Sequence, residues 1–211
     1  MNLFIENQNW RYATKKFDAT KKISNEDLDI LKEAIRLSTS SYGLQPYKIL
    51  IVENEDLRKA IQPVAWGQSQ IVDASHLLVF ANVTDFNSTH IDEFIQNMAT
   101  TRGLEIAQIQ GYGNFMKSSL LNLPAETLST WTSKQSYLAL ANLMNAAAEL
   151  KIDVTPMEGF EPEKVNEILG LTALGLHASL LATVGYRSEE DATQHYKKVR
   201  KSTEELFITL K

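Results

Sequence analysis

The sequence predicts one domain in which helices alternate with short buried strands. Three observations point there. No repeat, low-complexity segment or linker breaks the 211 residues. Four short runs rich in β-branched and apolar residues, Tyr47–Val52, Leu77–Ala81, Ile152–Val154 and Ala178–Tyr186, have strand character and strand length. Between them lie longer segments whose apolar residues recur at helical spacing.

In chain order, the basic segment Arg11–Lys16 comes first, either as a solvated charge run or facing an anion, and Lys16–Lys22 is a connecting loop. Ile23–Leu37 is the first clear helix: Ser24 is a good N-cap, Asp27 and Asp29 suit the first turn, and Leu28, Leu31, Ile35 and Leu37 supply an apolar stripe. Ser38–Pro46, rich in hydroxyls and containing Gly43, is either a polar turn or an anion cradle made of hydroxyls and free amides. After the strand Tyr47–Val52, a helix starts at Asn54 or Glu55 and runs to about Gln62, with Leu57 and Ile61 inward. In the loop Trp66–Gln70, Gln68 and Gln70 either face solvent or a ring edge that alternates carbonyl and N–H groups. His76 enters the next strand as a structural residue. His90, His177 and His195 are scattered, so no metal site is expected.

Asp85–Asn122 is helical but interrupted at Gly103, Gly111 and Gly113; its Met and aromatic residues have the pattern of core. Pro124–Leu150 is the clearest long helix, apolar over much of its circumference and therefore deeply buried. Ile152–Val154 leads into Pro156, which is expected to end ladder pairing because it has no N–H. Gly159 lets the backbone lie close against something flat or bulky. Pro162, flanked by Glu161 and Glu163, opens a helix that Gly170 closes. The tail beyond the last strand carries a second basic patch, Lys197, Lys198, Arg200 and Lys201, and then Glu204–Leu210 as an added strand or helix.

Composition narrows the function. The 44% hydrophobic content allows a substantial core. Without cysteine there is no disulfide, thiolate metal site or cysteine nucleophile. A formal charge of −5 weighs against nucleic acid as the main partner. No apolar stretch has the length of a membrane span, and Met1–Glu6 lacks the features of a secretory signal, so a cytoplasmic location and no membrane partner are expected. The Gly-x-Gly-x-x-Gly fingerprint, the Gly-x-x-x-x-Gly-Lys-Ser/Thr phosphate loop and the Gly-x-Ser-x-Gly elbow are all missing. What remains is positive charge for a phosphate, amides for a heterocycle and free backbone beside Gly159.

The blocks Arg11-Tyr12-Ala13-Thr14-Lys15-Lys16-Phe17, Ser40-Ser41-Tyr42-Gly43-Leu44-Gln45-Pro46-Tyr47, Gly67-Gln68-Ser69-Gln70 leading into Asp73-Ala74-Ser75-His76, Pro156-Met157-Glu158-Gly159-Phe160 and Lys197-Lys198-Val199-Arg200 stand in this order from about Asn9 to about Ser202. Together they resemble the FMN-dependent nitroreductase family of NAD(P)H oxidoreductases. The resemblance implies an α+β fold, with a mixed and mainly antiparallel sheet surrounded by helices in an intertwined homodimer. It also implies FMN as cofactor, NADH or NADPH as donor, and a small-molecule acceptor such as a nitroaromatic or quinone.

Carried over by position, the resemblance puts Arg11, Tyr12, Ala13, Lys198 and Arg200 around the FMN phosphate and ribityl chain. Lys15, Gln68 and Gln70 fall at the pyrimidine edge. Pro156, Met157, Glu158 and Gly159 lie beside the reactive centre, with the Glu158 and Gly159 amides facing N5 and O4. Ser40, Ser41, Gly43 and Gln45 belong to the segment that reaches the cofactor of the partner subunit. Residues 85–122 are the family's variable excursion over the substrate side, so Tyr42, Tyr112 and Phe115 are the candidate substrate contacts. No side chain is expected to act as acid or base, since the flavin carries the chemistry.

Three positions depart from the family pattern: Gln70 where a second lysine is frequent, Gly43 where an asparagine is frequent, and Tyr47 for a common tryptophan. They leave open a flavin-binding carrier without turnover, or a specialised dehydrogenase or dehalogenase.

Overall fold

A computed structural model describes residues 2–211. Among them the chain forms α1 (Leu3–Trp10), α2 (Asn25–Arg36), β1 (Tyr47–Val52), α3 (Glu55–Val64), α4 (Gln70–Asp73), β2 (His76–Val83), α5 (Ser88–Arg102), α6 (Ile106–Leu120), α7 (Ala125–Glu149), β3 (Asp153–Met157), α8 (Pro162–Leu169), β4 (Leu176–Gly185) and α9 (Thr203–Leu206). The fold is α+β. The strands make one four-stranded sheet in the order β1-β2-β4-β3. Every strand pair is antiparallel; the parallel contribution is a single bridge between Ala13 and Val154 on the outer side of β3.

Period-two alternation sends the side chains of β2 and β4 into two cores. Leu78, Phe80, Leu180, Ala182 and Val184 pack with residues of α2 and α7 on one face. Leu77, Val79, Ala81 and Leu181 pack with residues of α3, α5, α6 and α8 on the other. Helices therefore cover both faces, and the loops at the sheet edge next to β3 are left free to build a site.

The caps match the sequence. Ser24 Oγ accepts from Asp27 N at 3.0 Å, and Asn54 Oδ1 accepts from Leu57 N at 2.9 Å. Several expectations need correcting. Pro156 does not end the ladder: β3 continues through it, with Pro156 opposite Ala182 and Met157 opposite Leu181. β3 is an edge strand, where a proline costs no central hydrogen bond. Gly111 and Gly113 do not interrupt a helix; both lie inside α6, and the break falls only at Gly103, in left-handed conformation at the end of α5. A Cβ on Gly113 would stand 3.0 Å from Ile95 Cγ1, so this glycine lets α5 and α6 approach closely. α3 extends two residues past Gln62, and the helical turn Thr203–Leu206 gives way to irregular chain rather than a strand. α1, whose Asn2 cap accepts from Phe4 N, and the short α4 were not foreseen. α7 is not buried all round: Tyr137 and Leu138 are 40% and 41% exposed.

Candidate functional site

The basic segment after α1 is fastened to the sheet edge by polar side chains. Thr155 Oγ1 donates to Thr14 O at 2.5 Å, and Thr14 Oγ1 donates to buried Asp153 at 3.2 Å. Asp153 also accepts from the backbone N, Nε and Nη2 of Arg187, the last at 2.6 Å. The Arg187 guanidinium in turn stacks on Trp10 at 4.3 Å and Tyr12 at 4.6 Å.

Asp191 is the second anchor, 2% exposed. Its Oδ2 accepts from Tyr12 Oη, Lys15 N and Lys16 N at 2.9, 2.8 and 3.2 Å, while Oδ1 accepts from Thr193 N at 3.0 Å and Thr193 Oγ1 at 2.5 Å. Burial alone would raise this carboxyl, but the donors from Thr193, Lys15, Tyr12 and Lys16 outweigh it and hold it at about 2. Burial and the bond to Asp191 push the Tyr12 hydroxyl up to about 12. One buried carboxylate thus ties the 12–16 loop to the C-terminal tail.

These anchors bring together the predicted phosphate residues. Arg11, Tyr12, Ala13, Pro156, Lys198 and Arg200 line one cavity of about 510 Å³. Lys198 Nζ donates to Arg11 O, and Arg11 Nε donates to Gln8 Oε1 at 2.7 Å. Among the described residues no carboxylate pairs with Arg11, Lys198 or Arg200. Burial, then Arg200, lowers the Arg11 pKa; burial, then Arg11 and Arg200, lowers that of Lys198. Three cations share this cavity without a carboxylate partner, an arrangement whose charge suits an anion.

Pro156 also lines a neighbouring cavity of about 300 Å³, with Met157, Glu158, Tyr137, Leu140 and Leu180. Tyr137 Oη donates to the Glu158 carboxylate. Gly159 meets the flat object that its lack of a Cβ anticipates, the Trp66 indole of the same chain, where a Cβ would lie 2.6 Å from the ring. Gln68 Nε2 donates to Gly159 O at 2.9 Å and to Ala65 O at 3.0 Å, so its amide supports the segment from below. Gln70 is buried at the start of α4, and Lys15 is exposed, its backbone N fixed by Asp191. The loop carrying Gln68 and Gln70 is itself held by Arg58, whose buried guanidinium donates to the carbonyls of Ile71, Val72, Ala74 and Ser75.

A second group stands apart from these cavities. Ser41 N donates to Gln135 Oε1 at 2.8 Å, Ser40 Oγ accepts from Gln45 N at 3.0 Å, and Gln45 Nε2 donates to Arg36 O at 2.9 Å. Gly43 sits at φ +81°, a backbone conformation that strains any side chain, asparagine included, while the Phe94 ring, 3.4 Å from where a Cβ would be, is at ordinary contact distance. Gly43 and Gln45 line a 660 Å³ cavity with Asp85, His90 and Phe94. Tyr42 meets Tyr112 edge-on at 6.4 Å and Phe115 at 6.3 Å. The structure gathers the three predicted substrate contacts into one aromatic cluster, but within one chain it does not bring them to the Arg11–Arg200 cavity.

Residues 9–186 match the sequence model of the Nitroreductase family. The chain belongs to that family. A relative from Staphylococcus haemolyticus, named for NAD(P)H nitroreductase activity, is 38% identical over 208 residues, covering 94% of this chain and 93% of its own. One from Haemophilus influenzae with the same kind of name is 37% identical, covering 93% of this chain and 91% of its own. A solved nitroreductase-type structure from Bacillus subtilis superposes with a TM-score of 0.88 at 21% identity, over 99% of each chain. Another, from Exiguobacterium sibiricum and solved in complex with FMN, has a TM-score of 0.84 at 21% identity, over 100% of this chain and 98% of that one.

Asp191, Asp153, Arg187 and Tyr137 escaped sequence reasoning. Asp153 carried one signal, an acid between Ile152 and Val154 in an otherwise apolar run. The others carried none, because their partners are distant in the chain.

Proposed function

We propose that this chain is an FMN-dependent NAD(P)H oxidoreductase that passes two electrons, in ping-pong fashion, to nitroaromatics, quinones or related conjugated acceptors. The observation that carries this reading is the uncompensated trio Arg11, Lys198 and Arg200 in a cavity that shares Pro156 with the Glu158 segment. That donor set fits a flavin mononucleotide: cations for the phosphate at one end, backbone amides at Glu158 and Gly159 for the ring at the other. When bound, FMN supplies the hydride relay between donor and acceptor. The chain's residues hold and tune it. Lys15, on the loop pinned by Asp191, places a cation toward the pyrimidine edge, where the reduced ring carries negative charge.

The site is completed by a second copy. Leu138 stands 41% exposed on α7, and the tail exposes Phe207, Ile208 and Leu210. Docking of two α7 faces would carry Ser40, Ser41, Gly43 and Gln45, with the Tyr42–Tyr112–Phe115 cluster, toward the partner's flavin. The departures at Gly43 and Gln70 then bear on acceptor range more than on cofactor binding.

Arg200→Ala tests the reading. A charge-assisted hydrogen bond is worth roughly 1.5–3 kcal/mol, so FMN affinity should fall about ten- to over a hundredfold. Riboflavin, which lacks the phosphate, should bind almost unchanged. Equal loss for both ligands would mean that Arg200 acts through the fold. Anaerobic NADH or NADPH should bleach the bound flavin rapidly; tight FMN binding without bleaching would favour a carrier.

A further inference from the structure

Tyr137 and Glu158 make a contact that stability does not explain. Tyr137 is 40% exposed and Glu158 is exposed, yet the hydroxyl and carboxylate are joined by a hydrogen bond between α7 and the segment after β3. Exposed polar pairs contribute little to folding, while fixing both side chains costs rotamer entropy. The rest of the segment is already secured: Gln68 donates to Gly159 O, and Glu161 N donates to Val64 O at 2.8 Å. What Tyr137 adds is control of the Glu158 side chain, the carboxylate that lines the cavity.

We propose that Tyr137 is a positioning residue, which holds the Glu158 carboxylate against α7 so that backbone amides, not a free carboxylate, face the redox ring. The proposal rests on the flavin reading above. A carboxylate swinging into the 300 Å³ cavity that Tyr137 and Glu158 line would set negative charge beside a ring that gains electron density on reduction. The tyrosine hydroxyl removes that rotamer and disperses the charge through a charge-assisted bond. Tyr137 stays a donor throughout: burial, then the bond to Glu158, pushes its hydroxyl up to about 12. α7 is a firm base for this, since Thr132 Oγ1, one turn before, is buried and donates to Val83 O at 2.9 Å.

The test is a double-mutant cycle on FMN-loaded protein: wild type, Tyr137→Phe, Glu158→Gln and the double variant, reduced anaerobically by NADH or NADPH in stopped flow. Tyr137→Phe should slow flavin reduction about fivefold, equivalent to ~1 kcal/mol on the barrier, with FMN affinity and Tm unchanged. In the Glu158→Gln background the same substitution should alter nothing, because no charge is left to restrain. An unchanged rate in Tyr137→Phe, an equal loss in both backgrounds, or a loss of FMN affinity in parallel would each overturn the role. If wild type took up no FMN, or bound flavin were not bleached, the flavin reading would fall and this inference with it; failure confined to the variants leaves that reading standing.

Discussion

At the scale of single residues, Asp191 concentrates the most consequence. Its carboxylate takes five donors and joins the loop that carries Arg11, Tyr12 and Lys15 to the tail that carries Lys198 and Arg200. Asp191→Asn sets an amide against backbone donors and should cost about 2–3 kcal/mol, or roughly 5–10 °C in Tm for a chain of this size. Unlike Arg200→Ala, it should weaken FMN and riboflavin alike, since it loosens both ends of the site; titration with the two ligands separates the cases. Its pH signature has a definite sign. The folded-state pKa, about 2, lies below the ordinary ~3.9 of an aspartate. The stabilisation is therefore complete above about pH 4 and is lost as pH falls through 2, on the order of 2–3 kcal/mol in all. Acid unfolding followed by circular dichroism should show a shallower loss over that window in Asp191→Asn. Lys15 acts at the same scale. Lys15→Met should lower the flavin midpoint by tens of millivolts, taking about 30 mV per ~1.4 kcal/mol for a two-electron couple, with oxidised FMN bound nearly as before. An unchanged midpoint in a spectroelectrochemical titration would remove Lys15 from the pyrimidine edge.

Among the elements, α7 is the one whose surface a single chain leaves unfinished. Its inner side is closed by Ala139, Leu143 and Ala147, while Lys134, Tyr137 and Leu138 stand open one helical turn apart. In the proposed dimer, each Leu138 would contribute on the order of 1 kcal/mol by losing its remaining exposure. Leu138→Glu replaces that with an unpaired charge at the interface, several kcal/mol per copy. The variant should sediment as a monomer at micromolar concentration and lose FMN, because the Ser40–Gln45 segment would no longer reach a partner's site. A dimer that persisted with full flavin would place the interface elsewhere. The periodic elements were legible in sequence, as the stripe of α2 and the strand Tyr47–Val52 show. Pro156 and the glycines of α6 were misjudged for one reason: whether a residue breaks an element depends on what lies beside it. An edge position spares Pro156, and close packing on Ile95 calls for Gly113.

For the whole molecule, cofactor and fold should be linked by mass action. At a hundred times its dissociation constant, FMN adds about 2.7 kcal/mol to the folded state, a rise of roughly 5–10 °C in Tm. Thermal denaturation with and without FMN measures it, and Arg200→Ala should remove about half of the shift or more at the same FMN concentration. The −5 net charge surrounds a basic cavity built from both ends of the chain, so salt should weaken FMN binding through the phosphate while leaving riboflavin little affected.

The sequence by itself determined the alternation of helices and strands and the ordered blocks that mark the family, and it singled out the basic residues Arg11, Lys198 and Arg200 that share one cavity. Periodicity and motif blocks are local properties, readable along the chain. Tertiary structure alone decided how those residues are held. Tyr12 finds Asp191 across 179 positions, Gln68 finds Gly159 across 91, and Tyr137 finds Glu158 across 21. A hydrogen bond needs atoms about 3 Å apart and correctly aimed, and only the packing of α7, the sheet edge and the tail brings such distant donors and acceptors to that distance.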